Sequence, residues 1–216
     1  FLALFVLICL VGLGTSLFNI IKWKIEAKTT NNQIETAQKV VKPVEIIDND
    51  KIEIIEQEKV PLDNPYWEYV QMNLIDVDFN DLKNINPSTI GWIQVNGTNI
   101  NYPFVQTNDN KYYLNHSFNK SKNSAGWVFM DYRNNISVLD KNTIIYAHGR
   151  LDNTMFGSLK NILTSGWLNN KNNYIVKLST EYENNLWQVF SVYKIKTTND
   201  YLLLSFIFIE SFLVFT

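Results

Sequence analysis

This 216-residue sequence predicts a mostly-β fold: an antiparallel β-barrel with short helices, preceded by an N-terminal transmembrane helix. Three observations predict it. The run FLALFVLICLVGLGTSLFNII, residues 1–21, carries no charge. After Pro87 the apolar residues recur with period two rather than 3.6. Short runs of that kind then repeat between loops rich in Asn, Gly and Ser, the pattern of an all-β sandwich or barrel.

Residues 1–21 are long enough for a helix to cross a bilayer core, which takes roughly 20 apolar residues. A cleaved signal peptide is the competing reading, because Gly12, Gly14, Thr15 and Ser16 are small. Apolar character resumes at Leu17, Phe18, Ile20 and Ile21, which favours an uncleaved anchor. Lys22 and Lys24 follow, and taken alone they place the next segment in the cytoplasm. Residues 22–60 are polar and charged, with Val40/Val41, Ile46/Ile47 and Ile54/Ile55 scattered among acids and lysines and no sustained heptad. That composition reads as a partly helical stalk with too little apolar surface to fold alone. Pro61 and Pro65 mark the entry to a compact domain, and residues 66–79 and 81–85 read as helical up to Pro87.

Asn96-Gly97 between GWIQV and TNINYPFV is a strong hairpin signal. Further strands are expected at 125–132, 142–148, 173–179 and 186–196, with short helices at 109–114 and 154–163. The net charge of −2 and the lack of clustered Lys and Arg argue against a nucleic-acid partner. Cys9 is the single cysteine and cannot form an intrachain disulfide; inside the apolar run it reads as a small buried group.

The ordered set DLKNINPSTIGWIQVNGTNINYPFVQTNDNKYYLNHSF, AGWVFMDYRN, NTIIYAHGR, MFGSLK and WQVFSVYKIKTTNDYL, from Asp81 to Tyr201, resembles the class B sortases. These are membrane-anchored cysteine transpeptidases of Gram-positive bacteria, built on an eight-stranded barrel. The resemblance implies a domain on the extracellular side of the cell membrane, against the reading of Lys22 and Lys24 alone. It implies acyl transfer: a thiolate attacks a sorting-signal peptide, a histidine carries the proton to the leaving amine, and an arginine steadies substrate or oxyanion. A cell-wall precursor amine then resolves the thioacyl enzyme. No cofactor or metal is implied.

His148, closing TIIYAH, matches the family histidine, whereas in isolation it reads as a structural strand-end residue. Asp131 and Arg133 are family-typical and read as a strand-end pair shaping the barrel. Arg150 does not match the family arginine, which lies on a later strand. Met155 to Ser158 read as a brace for the histidine loop, and His116 as a surface loop residue.

The resemblance stops near Tyr201. A helix, a TLSTC-like strand and an arginine-bearing strand are implied next, but residues 202–216 read LLLSFIFIESFLVFT, without cysteine or arginine. The expectation is a truncated or frame-shifted sortase, with a partial catalytic domain over 61–201 and an aberrant apolar tail over 202–216. Such a chain keeps His148 and lacks the catalytic Cys and Arg, so it is expected to be inactive. Two other classes stay open: a non-enzymatic membrane-tethered β domain that binds peptide or cell wall, and a metal-dependent hydrolase using His116 and His148.

Overall fold

The computed structural model describes residues 2–43, 73–138, 140 and 142–192. The expected second part of the stalk, the helix over 66–72 and the tail over 202–216 lie outside the described residues.

The apolar run forms the front of one unbroken helix, α1 (Leu2–Gln38). Its side chains from Leu2 to Ile25 are exposed, and the helix is long and apolar enough to cross a membrane. The helix does not stop at Lys22. Its last turns carry Thr30, Ile34 and Ala37 on one face, spaced by four and three, and bury them against the β domain. The part of the expected stalk that is described is therefore packed rather than free, since these three small or apolar residues give it a face to bury.

Beyond Gln38, β1 (Val41–Pro43) pairs antiparallel with β2 (Ile75–Val77). Residues 75–77 were expected to be helical; Ile75 and Val77 point inward and Asp76 outward, the two-residue period of a strand. The helix starts only after Asp78, whose carboxylate accepts the amides of Asn80 and Asp81 as the N-cap of α2 (Phe79–Ile85). Buried Asn86 ends α2. Its amide donates to the Tyr113 hydroxyl and the Phe118 carbonyl, both at 2.7 Å, tying the helix to the loop that later meets His148.

The main sheet comprises β3 (Thr89–Val95), β4 (Asn101–Val105), β5 (Phe129–Met130), β6 (Ile145–Tyr146), β7 (Ile175–Thr180) and β8 (Asn184–Gln188). Its order is β6-β5-β4-β3-β7-β8, a curled half-barrel, antiparallel throughout except where β5 joins β4 in parallel at Val105↔Phe129. The hairpin forms where Asn96-Gly97 predicted it, with Gly97 at φ +68° in the left-handed region that favours glycine. The strict inside-outside alternation does not carry over. Trp92 and Ile93 are both fully buried, because neighbours cover both faces of the central strands: α1 lies against β4, α2 against β3 and β2 against β7. The expected segments 125–132 and 142–148 contract to two-residue strands. The short helices appear as 3₁₀ turns, Tyr112–Leu114 and Gly157–Asn161, and α3 (Ser165–Leu168) follows them.

Candidate active site

β6 delivers the chain from the buried core to the surface in two residues. Ala147 is still buried, and His148 is exposed. The His148 Nε2 lies 2.7 Å from the Leu114 carbonyl oxygen. A carbonyl only accepts, so Nε2 carries the hydrogen and Nδ1 is the basic nitrogen of the neutral ring. The carbonyl is itself well placed. Asp109 accepts the amides of Lys111 and Tyr112 at 2.7 and 2.8 Å, which fixes the start of the Tyr112–Leu114 turn and holds the Asp109 carboxyl below its usual range.

Gly126 is the second requirement. It sits at φ +61°, and a Cβ there would lie 2.5 Å from the Tyr113 carbonyl oxygen and 3.1 Å from His148 Cδ2. Only a glycine lets the chain pass between the turn and the imidazole without strain. Behind the histidine, the Phe156 amide donates to the His148 carbonyl at 3.0 Å, with Met155 and Phe156 buried beneath it.

The next residue but one, Arg150, is turned away from the imidazole's task. Its Nη2 donates to Asp152 at 2.9 Å and its Nε to Thr154 at 3.1 Å, leaving the side chain 8% exposed. Burial works to raise the Asp152 carboxyl, but Arg150 and Thr154 outweigh it and hold it low. Arg133, at the other end of the sheet edge, is equally committed. It grips the fully buried Asp131 with Nε at 2.8 Å and Nη2 at 2.7 Å, while Tyr146 and Asn110 add hydrogen bonds at 2.9 Å each. Burial alone would raise the Asp131 carboxyl; these donors bring it down to about 2. Asp131 thereby links β5, β6 and the loop before Tyr112.

His116 belongs to the same loop but is spent differently. It is half-buried and stacks on Tyr112 with ring centroids 4.0 Å apart, and its Nδ1 donates to the Tyr112 carbonyl at 2.8 Å. Among the described residues no group of three or more His, Cys, Asp and Glu converges as metal ligands. Cys9, the single cysteine of the sequence, lies exposed on the apolar front of α1, about 21 Å along the helix axis from Trp23. Neither the Leu114 carbonyl nor Gly126 is marked as a site feature by the sequence. A main-chain acceptor leaves no mark on side-chain identity, and a lone glycine in SAGW has many meanings.

The curled half-barrel is like that of solved sortase B structures, and comparison with known proteins gives the class. No family model matches the sequence. Sortase B of Listeria monocytogenes is 38% identical over 128 residues, 57% of this chain and 49% of that protein. A solved sortase B from Bacillus anthracis is 30% identical with a TM-score of 0.58, covering 81% of this chain and 73% of that one. A Staphylococcus aureus sortase B–substrate complex is 37% identical with a TM-score of 0.56, covering 60% and 59%. The chain belongs to the sortase B family. It spans about half the length of the curated relatives it matches.

Proposed function

We propose that this chain carries the histidine half of a class B sortase site. In the full reaction a cysteine transpeptidase cleaves a C-terminal sorting signal and joins the surface protein to a cell-wall precursor amine through a thioacyl intermediate. The observation that carries the reading is His148, exposed at the end of β6 with Nε2 held by Leu114 and Nδ1 left basic, within a sortase B-like sheet. A histidine so held takes a proton from the attacking thiol and gives it to the leaving amine, a contribution typically about 10²–10⁴ in rate. The domain stands on the extracellular side of the cell membrane, tethered by α1 as a single span.

The polypeptide as it stands is inactive in this proposal. Its one cysteine is Cys9 in the apolar helix, and its two arginines, Arg133 and Arg150, are each committed to a carboxylate. Loss of a covalent nucleophile costs on the order of 10⁶ in rate. The same observation favours a second reading, a membrane-tethered β domain that binds sorting peptide or cell wall without turnover.

The test is to incubate the full chain with a panel of sorting-signal peptides and an amine acceptor. Intact-mass spectrometry then reads the protein and chromatography reads the peptides. The proposal expects no thioacyl adduct and no cleavage. Peptide binding without cleavage selects the second reading. Cleavage that survives Cys9→Ser refutes the assignment of an inactive chain.

A further inference from the structure

We propose that the loop after His148 docks in the bilayer interface, with Leu151 as its apolar contact, so that the histidine stands close to the membrane surface. The inference rests on the reading of α1 as a membrane span. Five contacts order the domain along that helix. Nearest the apolar segment, the Arg150 guanidinium lies over the Trp23 ring, 5.7 Å from its centroid. Next, Ser124 donates to the Glu26 carboxylate, and the Asn123 amide bonds Thr30 at 3.1 Å. Gln33 then reaches Ser117 at 3.2 Å, and Gln38 donates to the Asn101 carbonyl at 3.1 Å. At the helical rise these levels stand about 4, 10, 15 and 22 Å beyond Trp23. Of these five contacts, the histidine loop makes the one nearest the apolar segment, and Asn101 at the start of β4 the one farthest from it.

Trp23 itself is two residues past Ile21, the end of the uncharged run, and sits between Lys22 and Lys24. That is where a tryptophan and flanking lysines settle at a membrane–water boundary. The loop held to Trp23 is rigidly made: Arg150 is locked by Asp152 and Thr154, and Asn153 and Met155 turn the chain at φ +62° and +49°. At its tip Leu151 is 91% exposed, next in the chain to the arginine on Trp23, a residue that itself remains 43% exposed. A scattered exposed leucine is ordinary on a soluble surface. A leucine on a fixed loop at the exit level of a membrane helix has an apolar phase within reach, and its burial there is favourable.

The full chain in a Cys9→Ala background, reconstituted in phosphatidylcholine vesicles, tests this with a nitroxide at Leu151→Cys. A second label at Tyr182→Cys, on an exposed turn, serves as the aqueous reference. Flotation first shows whether the chain rides with the vesicles. Power-saturation spectroscopy then compares collisions with oxygen, which concentrates in lipid, and with a nickel chelate, which stays in water. The expected result is flotation, with the oxygen-to-nickel ratio several-fold higher at position 151 than at 182. Adding Trp23→Ala lowers the ratio at 151 toward the reference. Flotation with equal ratios overturns the docking while leaving the membrane span intact. Failure to float removes the span and the docking together. A ratio at 151 unmoved by Trp23→Ala overturns the claim that the Arg150–Trp23 contact sets the depth.

Discussion

The two halves of the sheet are built by different means. In the centre, β3 is laddered to β4 and β7 over registers such as Gln94↔Asn101 and Val95↔Val176, and Trp92 and Ile93 are fully buried between covered faces. Toward the site, β5 and β6 are two residues each and β5 meets β4 at a single register. Polar side chains take the place of backbone pairing there. Asn134 donates to the Asn142 carbonyl at 2.8 Å and accepts the Ile144 amide at 2.9 Å. Gln106 bridges the Asp131 and Asn134 carbonyls, both at 2.8 Å. Apolar burial holds the frame, and satisfied polar groups aim the strand that ends in His148.

Substitutions probe the two halves separately. The largest effect is expected in the frame. Trp92→Ala opens a cavity and strips Asn101 of its 2.8 Å bond from the indole, costing about 3–5 kcal/mol in denaturant unfolding of the detergent-solubilised chain. An effect equal to that of a surface change would mean the centre is not the stabilising core.

Asp131→Asn comes next. It leaves the Arg133 guanidinium without its carboxylate and weakens the link to Tyr146, for about 1–3 kcal/mol near neutral pH. Its pH dependence has a definite sign. The folded carboxyl is lowered to about 2 from an ordinary value of 3.8, so its stabilisation is complete above roughly pH 5 and fades as pH falls from about 4 toward 2. Wild type and variant should converge at the acid end of that window. A constant gap down to pH 2 would contradict the charge-based account.

Gly126→Ala places a side chain at φ +61° against the Tyr113 carbonyl, for roughly 1–2 kcal/mol, and should shift the His148 ring resonances. The smallest effect is expected at the site itself. His148→Ala removes an exposed side chain and should change stability by no more than about 0.5 kcal/mol, measured in the same unfolding experiment. A large loss would make His148 part of the frame.

The same contrast explains what could be read in advance. The exposed apolar helix, the Asn96-Gly97 hairpin, strand β7 and His148 after a strand were legible, because each writes itself into composition, period or a local motif. Of the strand expected at 186–196, only 186–188 is strand, within β8; 189–192 are not, and 193–196 lie outside the described residues. The α1 tail was not: three buried positions among polar residues, Thr30, Ile34 and Ala37, are too few to distinguish from a stalk. Residues 75–77 are ambiguous in sequence because Ile-Asp-Val is short enough to fit either period until Asp78 caps the next helix. The parallel join of β5 to β4 and the Leu114 carbonyl are long-range matters of backbone position. No residue type encodes them.

Polar contacts fix the state of the site histidine. Long-range ¹⁵N–¹H NMR of the histidine-labelled full chain, at a pH where the rings are neutral, reads that state. Two opposite tautomers are predicted: Nε2–H for His148, bonded to Leu114, and Nδ1–H for His116, bonded to Tyr112. A His148 ring protonated at Nδ1, or exchanging freely between the two forms, would contradict it.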